Sequence, residues 1–281
     1  MVTVAMVSPG YMGAGLGWAL RAGGARVVAT AAGRSARTAR LATAAGLEMV
    51  PSLADAVGAA DVVLSVTPPG RALDAARTIA AAARESGATP VVADLNAIAP
   101  ATMAEIARTW ADLPVVDGSI SGPPPTARPG ARVYLSGDRA AQVAGLPWGD
   151  RVRPVVLGAE VGAASALKMC TASVYKGLTA LVTQAMRVAG EHGVLDQVLA
   201  DLGANGLDVS AGVPSAATKA ARYVDEMHQI AATQAAAGLT PALFAAFAAV
   251  YADVAGTDLA RGNPEDRESV PPPEIVRRLA A

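Results

Sequence analysis

Six short runs rich in β-branched residues, VTVAMV, RVVAT, DVVLSV, PVVADL, PVVDGS and RVYLSG, alternate with alanine-rich helical stretches from the first residue to about residue 157. Alternation of this kind restricts a chain to a parallel sheet with crossover helices on both faces. The runs lack polar alternation, as strands buried on both sides require. An α/β, doubly wound domain is therefore expected over residues 1–157. After RPVVLG the character changes. From about Ala159 to Ala255 there are helical stretches punctuated at Gly193, Gly203, Gly206, Pro214 and Gly238, and no strand. Residues 158–281 are expected to form an all-α second domain, joined to the first by a long helix. The tail, GNPEDRESVPPPEIVRRLAA, opens with turn-forming and charged residues and offers a short amphipathic helix after three prolines.

With 281 residues, 52% of them apolar, the chain can bury a substantial core. A net charge of −1 and 4% aromatic residues supply neither the basic field nor the stacking platforms of nucleic-acid binding, so no nucleic-acid partner is expected. The single cysteine, Cys170, excludes an intramolecular disulfide and a multi-cysteine metal site, and reads as a small apolar core residue. His192 and His228 are the only histidines, so no metal is expected. The apolar N-terminus lacks a basic leader and is broken by Pro9, while Lys168 and Lys176 interrupt the longest apolar helix. Neither a signal peptide nor a membrane span is expected, which leaves a cytoplasmic location as the default.

VTVAMVSPGYMGAGLG places a glycine-bearing turn straight after the first strand and before a helix. A dinucleotide pyrophosphate sits at such a junction, held by backbone N–H groups and the positive end of the helix dipole. The spacing Ser8-x-Gly10-x-x-Gly13 matches the dinucleotide fingerprint with serine in place of its first glycine. Ser8, Pro9, Gly10, Tyr11, Met12 and Gly13 are the expected cradle. A protein that prefers NAD usually carries an acid near the end of the second strand, but no Asp or Glu occurs between Gly13 and Glu48. The loop AAGRSARTAR instead offers Arg34, Ser35, Arg37 and Arg40, and a guanidinium suits a phosphate dianion. NADPH is the expected cofactor. The plainer reading, a solvated arginine face, fits Arg40 better than Arg34 or Ser35.

AASALKMCTASVYKGLTALV, residues 163–182, reads as a helix with a lysine among small and apolar neighbours. At 3.6 residues per turn Ala164, Lys168, Thr171, Ala172, Tyr175 and Thr179 share one narrow face, beside a larger apolar face of Leu167, Cys170, Val174, Leu178 and Leu181. A lysine that loses hydration becomes a better proton donor at neutral pH, which suits protonation of a carbonyl oxygen as hydride arrives. A lysine that snorkels out of a packed helix is the common alternative. On the residues alone the two readings stand level.

The same motifs resemble the β-hydroxyacid dehydrogenase superfamily, with its Rossmann domain, which includes 3-hydroxyisobutyrate dehydrogenase, 6-phosphogluconate dehydrogenase and the imine reductases. SPGYMG is similar to that family's glycine turn and GRS to its NADP-selecting loop. SVTPP at residues 65–69 resembles the loop that passes along the cofactor, which implies contacts from Thr67 and Pro68. DLNAIAP at 94–100 resembles the segment that sets an asparagine, here Asn96, facing the nicotinamide ribose. DGSISGPPP at 117–125 resembles the substrate-binding signature, implying roles for Ser119, Ser121 and Gly122, and GAASALKMC resembles the start of the helix bearing the catalytic lysine. The likeness is greatest to a branch of phosphogluconate-dehydrogenase-like proteins with SPG, GPPP and ALKM runs.

The chain departs from that pattern in three places. The family's asparagine four residues after the lysine is Ala172 here, so Thr171 is expected at the substrate and Tyr175 as the second catalytic group. Pro123 has no N–H with which to bind a substrate carboxylate, so neither 3-hydroxyisobutyrate nor 6-phosphogluconate is implied. Asp225 or Glu226, in KAARYVDEMHQIA at 219–231, stands where the family has a cation; this hints at an amine-bearing substrate, or else DEMH is a solvated face with Met227 and Ile230 buried. The resemblance implies a homodimer through the helical domain and an NADPH-dependent oxidoreductase that moves hydride to or from a small carbonyl or hydroxy compound. An imine reductase on the same scaffold and a noncatalytic NADPH-binding regulator are the alternatives.

Overall fold

The structure, a computed structural model, describes residues 1–266 and 269–280. It divides into two compact units, Met1–Lys168 and Met169–Ala281. In the first, β1 (Thr3–Val7), α1 (Tyr11–Ala22), β2 (Arg26–Ala29), α2 (Ala36–Ala44), β3 (Glu48–Met49), α3 (Leu53–Gly58), β4 (Val62–Ser65), α4 (Ala72–Ser86), β5 (Val91–Asp94), α5 (Pro100–Thr109) and β6 (Val115–Ser121) alternate, followed by β7 (Ala131–Ser136), α6 (Ala140–Ala144) and β8 (Val152–Gly158). The eight strands form one sheet in the order β3-β2-β1-β4-β5-β6-β7-β8. This is the expected doubly wound α/β sheet.

Strands β1 to β6 are mutually parallel. The expectation of a parallel sheet fails at β7, which runs antiparallel to β6, with β8 parallel to β7. The reason lies in the connection. The nine residues 122–130 contain four prolines and no helix, and a parallel return needs a longer crossover. Gly122 and Gly130 turn the two corners with φ of 110° and 106°.

Alternate residues of each strand enter opposite cores. Val4 and Met6 pack with Leu16 and Leu20 of α1 on one face, while Ala5 and Val7 pack with Ile79 of α4 and Ile106 of α5 on the other. Burial on both sides is what the unbroken apolar runs require. Trp110, fully buried, satisfies its one donor by bonding the Ala76 carbonyl at 2.9 Å.

Helix α7 (Ala163–Glu191) starts in the first unit and runs on into the second, which also holds α8 (Leu195–Ala204), α9 (Val213–Ala217), α10 (Ala220–Ala236), α11 (Ala242–Ala255) and α12 (Pro272–Leu279). Gly177 lets α7 approach α11: a Cβ there would lie 3.1 Å from the Phe247 ring. Tyr251 donates to the Lys176 carbonyl at 2.7 Å and meets Tyr223 edge-on at 5.2 Å. The DEMH segment is not a simple solvated face. Met227 and Ile230 are buried, but so is Glu226, whose carboxylate pairs with Lys176 and with Arg222. That pairing spends its charge within the helical unit.

Cys170, expected in the core, is exposed, as are Val174, Leu181 and Val188 on the same helix. The helical wheel defines faces, but tertiary packing decides which is covered. In the tail, α12 is capped by the first of the three prolines and takes the other two into its first turn, with Ile275 and Leu279 buried, whereas Arg267, Glu268 and Ala281 lie outside the described residues. Among the described residues no helix is long and apolar enough to cross a membrane.

Candidate active site

Only Ser8, Pro9 and Gly10 separate β1 from α1. Ser8 has φ of 62°, the one non-glycine in the left-handed region among the described residues. A side chain there costs about 1–2 kcal/mol, which explains the glycine usual at this point of the fingerprint. The Gly10 N–H closes the turn on the Ser8 carbonyl at 2.7 Å. The first amides of α1, on Tyr11, Met12 and Gly13, then stand at the positive end of a helix with no acid in its first turn. Gly13 is held against the turn: a Cβ on it would lie 3.0 Å from the Ser8 carbonyl oxygen and 3.5 Å from Val66. Gly15, two residues further into the helix, faces the proline loop, where a Cβ would lie 3.0 Å from Pro125.

The loop after β2 ends at Ser35, which caps α2 by accepting from the Thr38 N–H at 3.2 Å. Arg34 and Arg40 are exposed and Arg37 half-buried. Protein atoms around the Arg34 guanidinium push its pKa down, and the charge of Arg71 adds to the effect. Arg71 closes a single 3-10 turn, Pro69–Arg71, directly after the SVTPP loop. Thus the exits of β2 and β4, which flank β1 in the sheet, each bring an arginine to the same neighbourhood.

Thr67 and Asn96 belong to one network. The Thr67 N–H donates to the Asn96 side-chain oxygen at 2.5 Å, and the Asn96 amide donates to Asp94 at 2.7 Å. The Asn96 backbone N–H donates to Asp94 as well, at 2.9 Å. Asn96 is buried, and through these bonds its side chain fixes the Thr67 loop. The Thr67 hydroxyl is buried without a hydrogen-bond partner, and Pro68 beside it is exposed. An orphaned hydroxyl is costly. Burial pushes the Asp94 carboxyl up to about 7, helped by the charge of Asp117 and opposed by the Asn96 hydrogen bonds.

Asp117 pairs in register with Asp94 on the neighbouring strand and receives the start of α7. Its oxygens accept from the N–H groups of Gly162 and Ser165 at 2.9 and 3.0 Å, and from the hydroxyls of Ser165 and Ser136 at 2.6 and 3.1 Å. Ser119, expected at the substrate, is fully buried and donates to the Ala164 carbonyl at 2.9 Å. Ser121 is half-buried and Gly122 exposed. Lys168 is half-buried, and its amine donates to the Ile120 carbonyl at 2.7 Å. Ile120 lies three residues beyond the Asp94–Asp117 pair, about 10 Å further along the strand. The amine therefore stands past the C-terminal end of β5, on the edge from which the cradle and the Thr67 loop emerge. Open α/β sheets bind ligands outside that edge.

Thr171 and Tyr175 belong to the second unit, the former half-buried and the latter exposed. His192 and His228 are exposed. Among the described residues no group of three His, Cys, Asp or Glu side chains is placed to hold a metal. Two concavities of the first unit, one against α4 and α5 and one between α5 and β8, contain none of the groups above.

Residues 3–147, just over half of the chain, match the family described as the NAD binding domain of 6-phosphogluconate dehydrogenase. The chain belongs to the β-hydroxyacid dehydrogenase superfamily. Members of this superfamily are nicotinamide-dependent oxidoreductases, and the matched domain makes a nicotinamide dinucleotide the cofactor. Residues 189–254 match a domain of unknown function, DUF1932. An uncharacterized 28.5 kDa protein from the 7S RNA 5′ region of Methanothermus fervidus is 28% identical over 168 residues, which span 59% of this chain and 63% of that relative. A conserved protein of unknown function, described as structurally similar to 3-hydroxyacid dehydrogenases, is 26% identical with a TM-score of 0.65, over 90% of this chain and 96% of its own. The Mycobacterium tuberculosis 3-hydroxyisobutyrate dehydrogenase, solved with L-serine, shares the fold at a TM-score of 0.72 and 22% identity over all of both chains. A Bacillus cereus imine reductase shares it at 0.58 and 18%, over 90% and 92% of the two chains.

For a chain of this superfamily the cradle fits the cofactor on its own geometry, because Gly13 leaves no room for a side chain and Thr67 keeps an unpaired hydroxyl beside it in the sheet order. Sequence reading did not single out Arg71, Asp94 or Asp117. The two aspartates carried a signal nonetheless: a carboxylate that directly follows the apolar residues of a buried strand, at its end in VVAD and within it in VVDGSIS, must have partners in the fold.

Proposed function

We propose that the chain is an NADPH-dependent oxidoreductase that interconverts a small carbonyl compound and its alcohol, with Lys168 as the proton donor in the reductive direction and the acceptor in the other. The observation that carries this reading is the position of the Lys168 amine, hydrogen-bonded to Ile120 beyond the end of β5 in the same unit as the glycine cradle. Bound NADPH supplies the hydride. Lys168 holds a proton at Nζ and passes it to the carbonyl oxygen as the carbon is reduced, so that the ammonium becomes an amine and the carbonyl an alcohol.

The turn from Ser8 to Gly13 holds the pyrophosphate, and the Thr67 hydroxyl and Pro68 line its path. Arg34, with Ser35 and Arg37, takes the adenosine 2′-phosphate, a preference supported by the absence of any acid between Gly13 and Glu48. Ser121, Gly122 and Thr171 contact the substrate, and Tyr175 supplies a second hydroxyl seven residues along from the lysine. A second copy of the chain covers α7, where Val174, Leu181 and Val188 are exposed at intervals of seven residues.

NADPH and NADH oxidation with a panel of small aldehydes and ketones, with and without added amine, tests the reading. Turnover with NADPH alone, lost by roughly 100-fold or more in Lys168→Met while NADPH still binds, is the expected result. Turnover that depends on amine assigns imine reduction instead. Binding without turnover on any carbonyl, and no effect of Lys168→Met, assigns a regulator.

A further inference from the structure

We propose that Asp117 is the positioning residue for Lys168: its buried carboxylate fastens the first turn of α7 to β6 and so sets where the amine stands. The inference deepens the role given to Lys168 and rests on it. Asp117 is completely buried in the middle of the sheet, with Asp94 and Ser136 opposite it on the two neighbouring strands, a place where a charge costs stability unless partners meet it. Four donors do so. Three of them, the Gly162 N–H, the Ser165 N–H and the Ser165 hydroxyl, belong to the start of α7. The fourth, the Ser136 hydroxyl, comes from β7 and also accepts from the Ala164 N–H at 3.2 Å.

A carboxylate at the first turn of a 29-residue helix meets the positive end of its dipole and caps amides that otherwise have no partner. The tie is also directional. Ser119, two residues further along β6, bonds the Ala164 carbonyl, and Ile120 bonds the Lys168 amine. Three successive sites on one strand therefore hold Gly162 to Lys168, so the helix can neither slide nor turn on β6 without breaking them.

Asp117 is also the register partner of Asp94, and Asp94 holds Asn96 and through it the Thr67 loop. Adjacent positions of the sheet thus anchor the cofactor-side loop and the lysine-bearing helix. Loosening Asp117 releases the amine while leaving the Asp94 anchor in place.

The chain has only three lysines, Lys168, Lys176 and Lys219, which permits a test that does not depend on turnover. Reductive methylation with ¹³C-formaldehyde labels each amine and keeps its charge, and the Lys168 signal is the one missing from Lys168→Met. In Asp117→Ala the Lys168 signal should shift and titrate at a different pH, while those of Lys176 and Lys219 stay fixed. Asp117→Asn, which keeps an acceptor oxygen, should restore part of the change. The turnover number should fall by roughly 10- to 100-fold in Asp117→Ala with KM for NADPH changed little, as misplacement of a reacting group predicts.

Should Asp117→Ala fail to fold, Ser165→Ala removes only the 2.6 Å hydroxyl bond and should move the same signal by less. An unmoved Lys168 signal in the folded variants overturns the proposal. If instead Lys168→Met keeps full activity, the proton-donor reading fails, while the signal shift still reports whether Asp117 positions the amine.

Discussion

The carbonyl oxygen of Ser8 stands 3.0 Å from the point a Cβ would occupy on Gly13, so the turn after β1 and the first turn of α1 are fitted to each other at the width of a hydrogen atom side chain. The neighbour at fault is backbone and cannot rotate away. Gly13→Ala is therefore expected to destabilise the first unit by about 1–3 kcal/mol through overpacking. It should weaken NADPH binding more than 10-fold, because the displaced amides are those at the helix N-terminus. Isothermal titration and urea unfolding measure the two effects; unchanged affinity would remove the cradle from the cofactor site.

Ser8 itself leads to effects of opposite sign. Its left-handed φ costs about 1–2 kcal/mol for a residue with a side chain, and glycine gives back roughly 0.5–1 kcal/mol through unfolded-state entropy. Ser8→Gly should then be as stable as the parent or slightly more so. If the strain is kept for a hydroxyl that meets the pyrophosphate, the same variant binds NADPH several-fold more weakly. A variant that gains in both respects shows the serine to be incidental.

How far the sequence speaks for the structure depends on the range of the interactions involved. Strands β1, β2, β4, β5 and β6 are legible because double-sided burial writes itself into unbroken apolar runs. The pair Glu48–Met49 is exposed on both residues and leaves no such trace. The direction of β7 is set by the proline-rich connection, not by the strand. At the site, the Ser8 to Gly13 spacing is local and was readable. The hydrogen bonds of Asn96 and Ser119 to partners 29 and 45 residues away leave no local trace, because they exist only once the strands are aligned. Cys170 is exposed, and a helical wheel does not say which of two apolar faces is covered.

Asp94 should make stability depend on pH in a particular direction. Its folded pKa, raised to about 7 by burial, lies above its ordinary value of 3.8, so the folded state binds more protons than the unfolded state between the two. Its contribution is fully present below about 4, declines through the window and is exhausted above about 7. Urea midpoints of the parent and of Asp94→Asn, taken from pH 4 to 8, isolate the effect. The parent should lose ground to the variant by up to a few kcal/mol as pH rises, with a plateau above 7. A difference that is flat across the range would mean the carboxyl ionises normally.

Val174, Leu181 and Val188 lie on one line of α7 and are all exposed. Large apolar side chains in such a line are covered by a partner more often than left in water. Leu181→Lys is expected to shift a dimer to monomer in light scattering at micromolar concentration, with the far-ultraviolet spectrum of the helices retained. A parent chain that is already monomeric refutes the assignment of this face to a second copy.

Arg34 and Arg71 come from different loops, and burial first and the charge of Arg71 second push the Arg34 pKa down. Arg71 has a partial partner in Asp74 at 3.6 Å, but both side chains are largely in solvent, where such a pair contributes little. Two guanidiniums gathered at the exits of β2 and β4 are most stable with an anion between them, and a 2′-phosphate dianion has the geometry and charge to serve. Arg34→Ala and Arg71→Ala should each raise the dissociation constant for NADPH by roughly 10-fold or more, as loss of a charged hydrogen bond predicts, and leave NADH binding almost unchanged. Adenosine 2′-monophosphate at 100 times its dissociation constant should stabilise the parent by about 2.7 kcal/mol and neither variant to the same extent. If both arginine variants weaken NADH and NADPH alike, the pair serves the pyrophosphate or the fold, and the preference for the phosphorylated cofactor loses its physical basis.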